Sequence, residues 1–491
     1  MKTRKPQVLY HAVLSRVIVW FISTLAILFV RCYDTSTKIS IEHTNHANFK
    51  DANDMKAFDS IAWSALGQYS RWDAAYFLRI AQVGYEYEKN HAFQPGLPIT
   101  INVFRFGSGL SYFSGAEGIM TVEASFLIAG ACVTNAAFVL AAVALYDLSV
   151  EVIKNEQMAY ISCLLFCYNP ASIFMSAVYT GSLYACLSFY GMLYLERTSY
   201  YSSSTGFRYC AETLMSMLLF AGACATRSNG LLLSMYPAYF VFKDVIWPAL
   251  LKSFCKVHHG HADHGISNQS SLKKALFVIK NAVTSLCSVA PYFLVQSYGY
   301  ELYCVGRKEE LRPQWCKDSN IYKHVQERYW GSGVIFGYWT INQIPNFVLA
   351  APILYVSYFA FFHYIQKTIH QKSYSHKHNR VLNYITSSLG LNYIVDYTSN
   401  LDLAMVGYLS HRSAPYVWHL FGLTSLIVVM AHVQISTRVL CASCPAVYWF
   451  VAYTFVRKKA NTQKFLNCYL IFTWLYFTLG CVLFSTFYPW T

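Results

Sequence analysis

The stretch VLYHAVLSRVIVWFISTLAILFV, residues 8–30, decides the fold class. A bilayer core of about 30 Å is crossed by about 20 apolar residues at about 1.5 Å each, and this run is long enough. Lys2, Arg4 and Lys5 precede it, and no small-residue cleavage site follows at Arg31-Cys32. It therefore reads as a retained signal anchor with a cytoplasmic N-terminus. His11 and Arg16 lie near its start, where the Arg is expected to snorkel to the headgroups. Further apolar runs occupy 119–146, 158–178, 182–195, 211–225, 231–247, 275–298, 345–366, 414–436, 439–456 and 465–487. The stretch 382–410 is weaker, broken by Asp396, Asn400 and Asp402. The expectation is an all-α, polytopic integral membrane protein, one domain over 1–491, with about 10–12 transmembrane helices.

Composition agrees. Of 491 residues, 55% are hydrophobic, 17% aromatic and only 13% charged. Soluble domains carry about 25% charged residues, so a soluble enzyme, a disordered scaffold and a disulfide-stapled secreted domain are excluded. The net charge of +14 would suggest nucleic acid in a soluble chain. Here the basic residues sit between apolar runs, as in cytoplasmic loops of membrane proteins, and no nucleic-acid partner is expected.

Two loops set the sidedness. Residues 249–274 (Lys252, Lys256, Lys273, Lys274 and four His between 258 and 264) and 367–380 (Lys367, Lys372, Lys377, Arg380) are basic, which places them in the cytoplasm. The histidines read as a solvated loop rather than a metal site, because nothing nearby fixes ligand geometry. The sequon at Asn268 falls in the same loop and should stay unmodified. Two long segments are then lumenal, a first loop at 32–118 and a second at 299–344, and chemistry belongs there. Cys304 and Cys316 in the second could pair in an oxidising lumen. Most of the 15 cysteines lie in apolar runs and read as small buried hydrophobes, and Cys441/Cys444 is a lone CxxC without redox context. Pro170, Pro291, Pro345 and Pro352 break or enter helices, which a membrane protein tolerates where backbone lines a cavity.

The densest polar region opens with RWDAAYF, 71–77, and continues through GYEYE (84–88) to AFQPGLP (92–98). An Asp beside Trp and Arg at the membrane edge can stay ionised while partly desolvated, the state a general base for a hydroxyl needs. The plainer alternative is an interfacial helix with Trp72, Tyr76 and Phe77 at headgroup level and Asp73 as its N-cap or solvent face.

These motifs, with CYNPASIFMSAVYTGSLYA (167–185), ATRSNGLLL (225–233), RPQWC (312–316), YW…FGYWTINQIPNFVLAAP (329–352), HRSAP (411–415), HVQISTR (432–438), PAVYW (445–449) and FYPWT (487–491), resemble the phosphatidylinositol-glycan V family of mannosyltransferases. Their order covers almost the whole chain. The resemblance implies a GT-C type glycosyltransferase of the endoplasmic reticulum membrane with a lumenal active site. It implies transfer of the second mannose, in α-1,6 linkage, from dolichyl phosphate mannose to the glycosylphosphatidylinositol (GPI) lipid intermediate. The chain departs from the family at Tyr179-Thr180-Gly181-Ser182, where an acidic residue is usual, and at Gln94, where an aromatic is common. Fungal members use a small membrane subunit, which adds one to the partners to consider beside the two lipid substrates and membrane lipids.

For that reaction Asp73 is the expected catalytic base, flanked by Arg71 and Trp72 as substrate-binding candidates. A leaving phosphate needs cationic partners that strengthen as charge develops. Arg227, Arg412, and Arg438 with His432 are the candidates, and Arg312 with Trp315 could hold acceptor sugar. Snorkelling or interfacial anchoring is the alternative for each of these. A nucleotide-sugar enzyme would show a DxD-like pair holding a metal on a diphosphate. The lumenal loops lack one, and a lipid monophosphate offers no diphosphate to chelate, so no metal and no cofactor is expected. Two other readings remain: a dolichyl-phosphate-sugar glycosyltransferase acting on N-glycan precursors, and a transporter or scramblase. The second would place charges at the midplane and show repeats, and neither is apparent.

Overall fold

Helix α1 (Lys5–Phe29) begins with Pro6 in its first turn, where a missing N–H is harmless. It is the first of a series of helices in the computed structural model, which describes residues 3–33, 56–115, 117–199, 206–250, 271–306, 308, 312–317, 320–330, 335–370, 386, 388–391, 407–457 and 460–490. Among these residues β pairing is confined to an isolated bridge between Ser114 and Met120. The His258–His264 cluster, the Asn268 sequon, residues 371–380 and nearly all of 382–406 lie outside the described residues.

Three short amphipathic helices follow, α2 (Ala57–Leu66), α3 (Ala74–Val83) and α4 (Gly96–Gly107). They lead into α5 (Val122–Ile153), which is apolar on all sides, the pattern of a helix packed all round. Its start is well held: the Thr121 hydroxyl accepts the Ala124 N–H at 3.2 Å, and Asp59 accepts the Thr121 N–H at 2.8 Å. Lys154, with φ 54°, ends it in a left-handed turn. Asn155 then caps α6 (Glu156–Cys167) by accepting the Met158 N–H at 2.9 Å.

The apolar run 158–178 is not one span. Pro170 cannot continue α6, and Asn169 closes the turn by accepting the Ala171 N–H at 2.8 Å and donating to the Phe166 carbonyl at 2.7 Å. A single turn, α7 (Ser172–Ser176), and the extended step at Ala177 precede α8 (Gly181–Ser199). This break explains why Arg16 departs from the expected snorkelling. The guanidinium is buried and points inward, donating to the Ser172 carbonyl and Ser176 Oγ at 2.9 Å each. It also reaches Ser172 Oγ at 3.2 Å and the Cys167 carbonyl at 3.3 Å, and lies 3.7 Å from the Phe138 ring centroid. Carbonyls freed by a broken helix inside a membrane need a donor, and Arg16 is that donor. Each buried acceptor left unpaired costs about 1–3 kcal/mol. Arg16→Met is therefore expected to lower the thermal melting midpoint of the detergent-solubilised protein, and an unchanged midpoint would remove this role.

The chain continues through α9 (Phe207–Thr226), α10 (Met235–Val241), α11 (Ser271–Cys304), α12 (Ile321–Trp330), α13 (Ile344–His370) and α14 (Ala414–Met430). It ends with α15 (Ser436–Ser443), α16 (Pro445–Arg457) and α17 (Ala460–Ser485). Helix α5 is central, packed against α1, α6 and α8, while α9 joins α8 to α11 and α17 lies on α1. The core is aromatic: Phe138 stacks on Phe166 at 4.9 Å, and the buried Trp449 indole donates to Ser149 Oγ at 2.7 Å. Outward faces carry Phe21, Leu286, Phe293 and Trp474 in the open, as lipid contact requires.

Among the described residues seven helices are long and apolar enough to cross a bilayer, or eight if the pair Val433–Ser443 and Pro445–Arg457 counts as one span. Fewer helices pass as full spans than there are apolar runs, because runs such as 158–178 and 231–247 form broken or short helices. The bent pair turns by 77° at Cys444-Pro445. That bend sets the direction of α15, which carries Arg438.

Candidate active site

Three pieces of chain converge at one end of α5. The first is the turn 70–73. Its backbone is unusual, since Trp72 has φ 59°, which costs a bulky L-residue about 1–2 kcal/mol. The C-terminal segment holds it there: the Trp72 indole N–H donates to the Phe484 carbonyl at 3.3 Å and its ring packs on Phe487 at 6.1 Å. Arg71 lies over the same Phe487 ring at 4.2 Å. Neither lines the cavity, and these contacts brace the turn.

Asp73 does occupy the N-cap position of α3, as the plainer reading has it, but its carboxylate caps nothing. Instead Arg438 on α15 donates to Asp73 Oδ2 at 3.0 Å, and the Asp73 N–H donates to the Tyr179 hydroxyl at 2.9 Å. Tyr179 is also hydrogen-bonded to Arg438 and reaches this point from the broken segment between α7 and α8, where the Val178 N–H donates to the Tyr69 carbonyl at 3.0 Å. The carboxylate remains 25% exposed, open to a cavity of about 210 Å³.

The cavity is walled by Asp73, Gln94, Tyr179, Arg227, Tyr322, His432 and Arg438, with Phe77, Phe93 and Phe174 as its apolar side. Arg227 follows the last residue of α9 and is half-buried, with its guanidinium 5.7 Å from the Tyr184 ring centroid. Among the described residues no carboxylate pairs with it. Burial lowers its pKa to about 10 and the nearby Arg438 acts in the same direction, while Tyr184 and Tyr322 oppose them. Arg227 is thus charged at neutral pH and short of negative partners. His432 packs edge-on against Tyr338 at 4.5 Å.

The turn 88–94 is set by aromatic packing. Phe93 stacks on Tyr76 at 4.9 Å, and buried His91 stacks on Tyr85 at 4.3 Å. Desolvation pushes His91 down to about 4, so it is a neutral ring there.

Other expected contacts are not brought to the cavity. Arg412 pairs with Glu151 at 3.1 Å and with the buried Glu196 at 3.3 Å, near the far end of α5. Its charge is paired there, outside the cavity lining. Trp315 is buried in a satellite cluster with Tyr303, Ile321 and Val325, donating to Glu88 at 3.2 Å, and Arg312 is exposed outside the cavity lining. Cys304 and Cys316 are joined as a disulfide, which ties the end of α11 to this cluster. The segment 299–344 contributes Tyr322 and Gln326 instead, with Tyr322 placed by a 2.8 Å hydrogen bond to Ser228 beside Arg227. Tyr179 and Gln94 lie inside motifs of the resemblance, and that is the sequence signal for them as site residues; Tyr322 has none.

Comparison with known proteins identifies the family. The family model for mannosyltransferases of the PIG-V type matches residues 4–491. The rat GPI alpha-1,6-mannosyltransferase 2 is 28% identical, over 88% of this chain and 89% of that protein. The human protein of the same name is 29% identical over 80% of this chain and 74% of its own length, and the Drosophila melanogaster GPI mannosyltransferase 2 is 28% identical over 88% and 89%. Among solved structures, an Archaeoglobus fulgidus oligosaccharyltransferase superposes with a TM-score of 0.46 at 10% identity, covering 98% of this chain and 56% of the other. The chain spans about half the length of that structure, and so distant a likeness carries no weight here. A family match over practically the whole sequence does: this multi-pass membrane chain belongs to the PIG-V mannosyltransferase family.

Proposed function

We propose that the chain transfers the second mannose of the GPI core, in α-1,6 linkage, from dolichyl phosphate mannose to the one-mannose GPI lipid intermediate at the lumenal edge of the endoplasmic reticulum membrane. The observation that carries this reading is the juxtaposition, in one cavity, of an oriented carboxylate and an arginine without a carboxylate partner. The names of the relatives supply the acceptor and the linkage.

The donor is a β-linked mannosyl phosphate. The acceptor hydroxyl attacks the anomeric carbon from the face opposite the phosphate, forming the new C–O bond as the bond from carbon to phosphate oxygen breaks. The product is therefore α. Asp73 takes the hydroxyl proton; Arg438 orients its carboxylate while the Asp73 N–H is anchored on Tyr179. Dolichyl phosphate leaves with added negative charge, which Arg227, with His432 at the same wall, stabilises more strongly than it does the substrate. A monophosphate leaving group presents no diphosphate for a divalent ion, so the reading uses no metal and no cofactor. Both lipid tails stay in the bilayer.

The test is complementation of cells lacking the enzyme for the second GPI mannose, with and without co-expression of a small membrane subunit of the kind fungal members use. The chain is expected to clear the accumulated one-mannose intermediate and restore a surface-anchored reporter. Persistence of that intermediate in both arms, with the protein present in the reticulum, would overturn the acceptor assignment and favour an N-glycan precursor.

A further inference from the structure

The surroundings of Gln94 are odd for an amide. The residue is 3% exposed, yet among the described residues neither Oε1 nor Nε2 has a hydrogen-bond partner. Buried polar groups are almost always satisfied, and an orphaned pair of donor and acceptor in one side chain is expensive to maintain. A Leu or Phe would fill the same space without that cost. The side chain lines the same cavity as Asp73 and Arg227.

The local backbone places Gln94 on the Arg227 side. Gly96, two residues on, sits so close to α9 that a Cβ there would lie 2.6 Å from the Thr226 hydroxyl oxygen and 2.8 Å from the Ala225 carbonyl. The turn 94–96 is thus pressed on the residue that precedes Arg227, and only glycine permits the approach. Phe93 is fixed against Tyr76 on the other side, so the turn has little freedom to carry Gln94 elsewhere.

From this placement we infer that Gln94 is a specificity residue for the donor sugar, its amide accepting from one hydroxyl of the hexose and donating to a hydroxyl oxygen. A vicinal diol presents both functions within reach of one planar amide, which an apolar wall cannot match. The inference rests on the reading of this cavity as the site for a hexosyl phosphate lipid. It adds the contact that distinguishes the sugar-bearing lipid from the bare lipid phosphate.

The experiment compares the full-length wild-type protein with Gln94→Leu, purified in detergent and melted alone, with dolichyl phosphate, and with dolichyl phosphate mannose. The wild-type midpoint is expected to rise further with the mannosylated lipid than with the bare phosphate. In Gln94→Leu the two lipids should raise it equally, and the lipid-free variant should melt no lower than wild type, because an unsatisfied amide has been removed. In transfer assays the variant should lose about 10- to 100-fold in kcat/KM for the donor, with the acceptor KM unchanged. Equal shifts by both lipids in wild type would overturn the inference. So would a variant that keeps the difference between them, or that melts lower while keeping donor kcat/KM. A wild-type protein that shows the Gln94-dependent difference but transfers nothing to the GPI intermediate overturns the proposed acceptor and leaves the donor contact standing.

Discussion

Asp73→Asn, at wild-type expression, is expected to transfer mannose from radiolabelled dolichyl phosphate mannose in microsomes at least about 100-fold more slowly than wild type. The substitution keeps shape, and the amide oxygen can still accept from Arg438, so the 3.0 Å contact and the braced turn at Trp72 survive. What disappears is a group able to take a proton. A positioned base contributes about 10²–10⁴ in rate, and among the described residues the cavity's lining offers the acceptor hydroxyl no other carboxylate. The loss should appear in kcat with little change in either KM, since the base acts as the bond forms. Activity within tenfold of wild type would show that Asp73 is not the base. A second readout guards against misfolding: because the pair is partly open, with 25% and 23% of the two side chains exposed, the melting midpoint should fall only slightly.

Arg227→Met is the second large effect, and its two readouts move in opposite directions. The guanidinium is half-buried and unpaired with any carboxylate among the described residues, and burial has lowered its pKa to about 10. In the unfolded chain an arginine titrates higher, so between those values the unfolded state binds more protons and stability rises with pH. At neutral pH both states are charged and the folded state carries the full unfavourable difference. Removing the charge is therefore expected to leave thermal stability unchanged or raise it. Catalysis should suffer: loss of one well-placed partner for developing negative charge costs about 10²–10³ in kcat. Arg227→Lys should recover part of this, since a point charge replaces a fork without matching its geometry. A fall in stability with transfer intact would make Arg227 a structural residue and leave the leaving phosphate to Arg438 and His432.

The parts of the site that were legible share one property: their chemistry is carried by short, dense polar stretches in an otherwise apolar chain. Asp73 stands out in such a stretch, and Arg227, His432 and Arg438 stand out as ionisable groups at the edges of apolar runs. The same criterion admitted Arg412, and nothing local separates it from Arg438. The difference lies in neighbours far away in sequence, Glu196 for one and Asp73, 365 residues distant, for the other. Trp315 and Arg312 were plausible as sugar contacts for the same reason, and the Cys304–Cys316 disulfide and the Glu88 contact turn that segment into a support for α12 instead. Tyr179 and Gln94 are neutral residues whose significance depends wholly on what faces them.

Hydropathy along the chain settled the class of this protein, because the cost of unpaired backbone in lipid leaves only helices for apolar runs of this length. Ordered motifs were enough to point to a family, and the shared lumenal segment of Cys304 and Cys316 to a possible bond between them. Tertiary structure alone decided which runs break, that Arg16 turns inward to serve the break after Cys167, and which arginine meets Asp73. Those outcomes hang on bends at Pro170 and Pro445 and on contacts between distant segments. A one-dimensional pattern records how apolar a stretch is, but the direction in which a broken helix re-enters the bundle is set by whatever partner can satisfy its freed backbone and side chains.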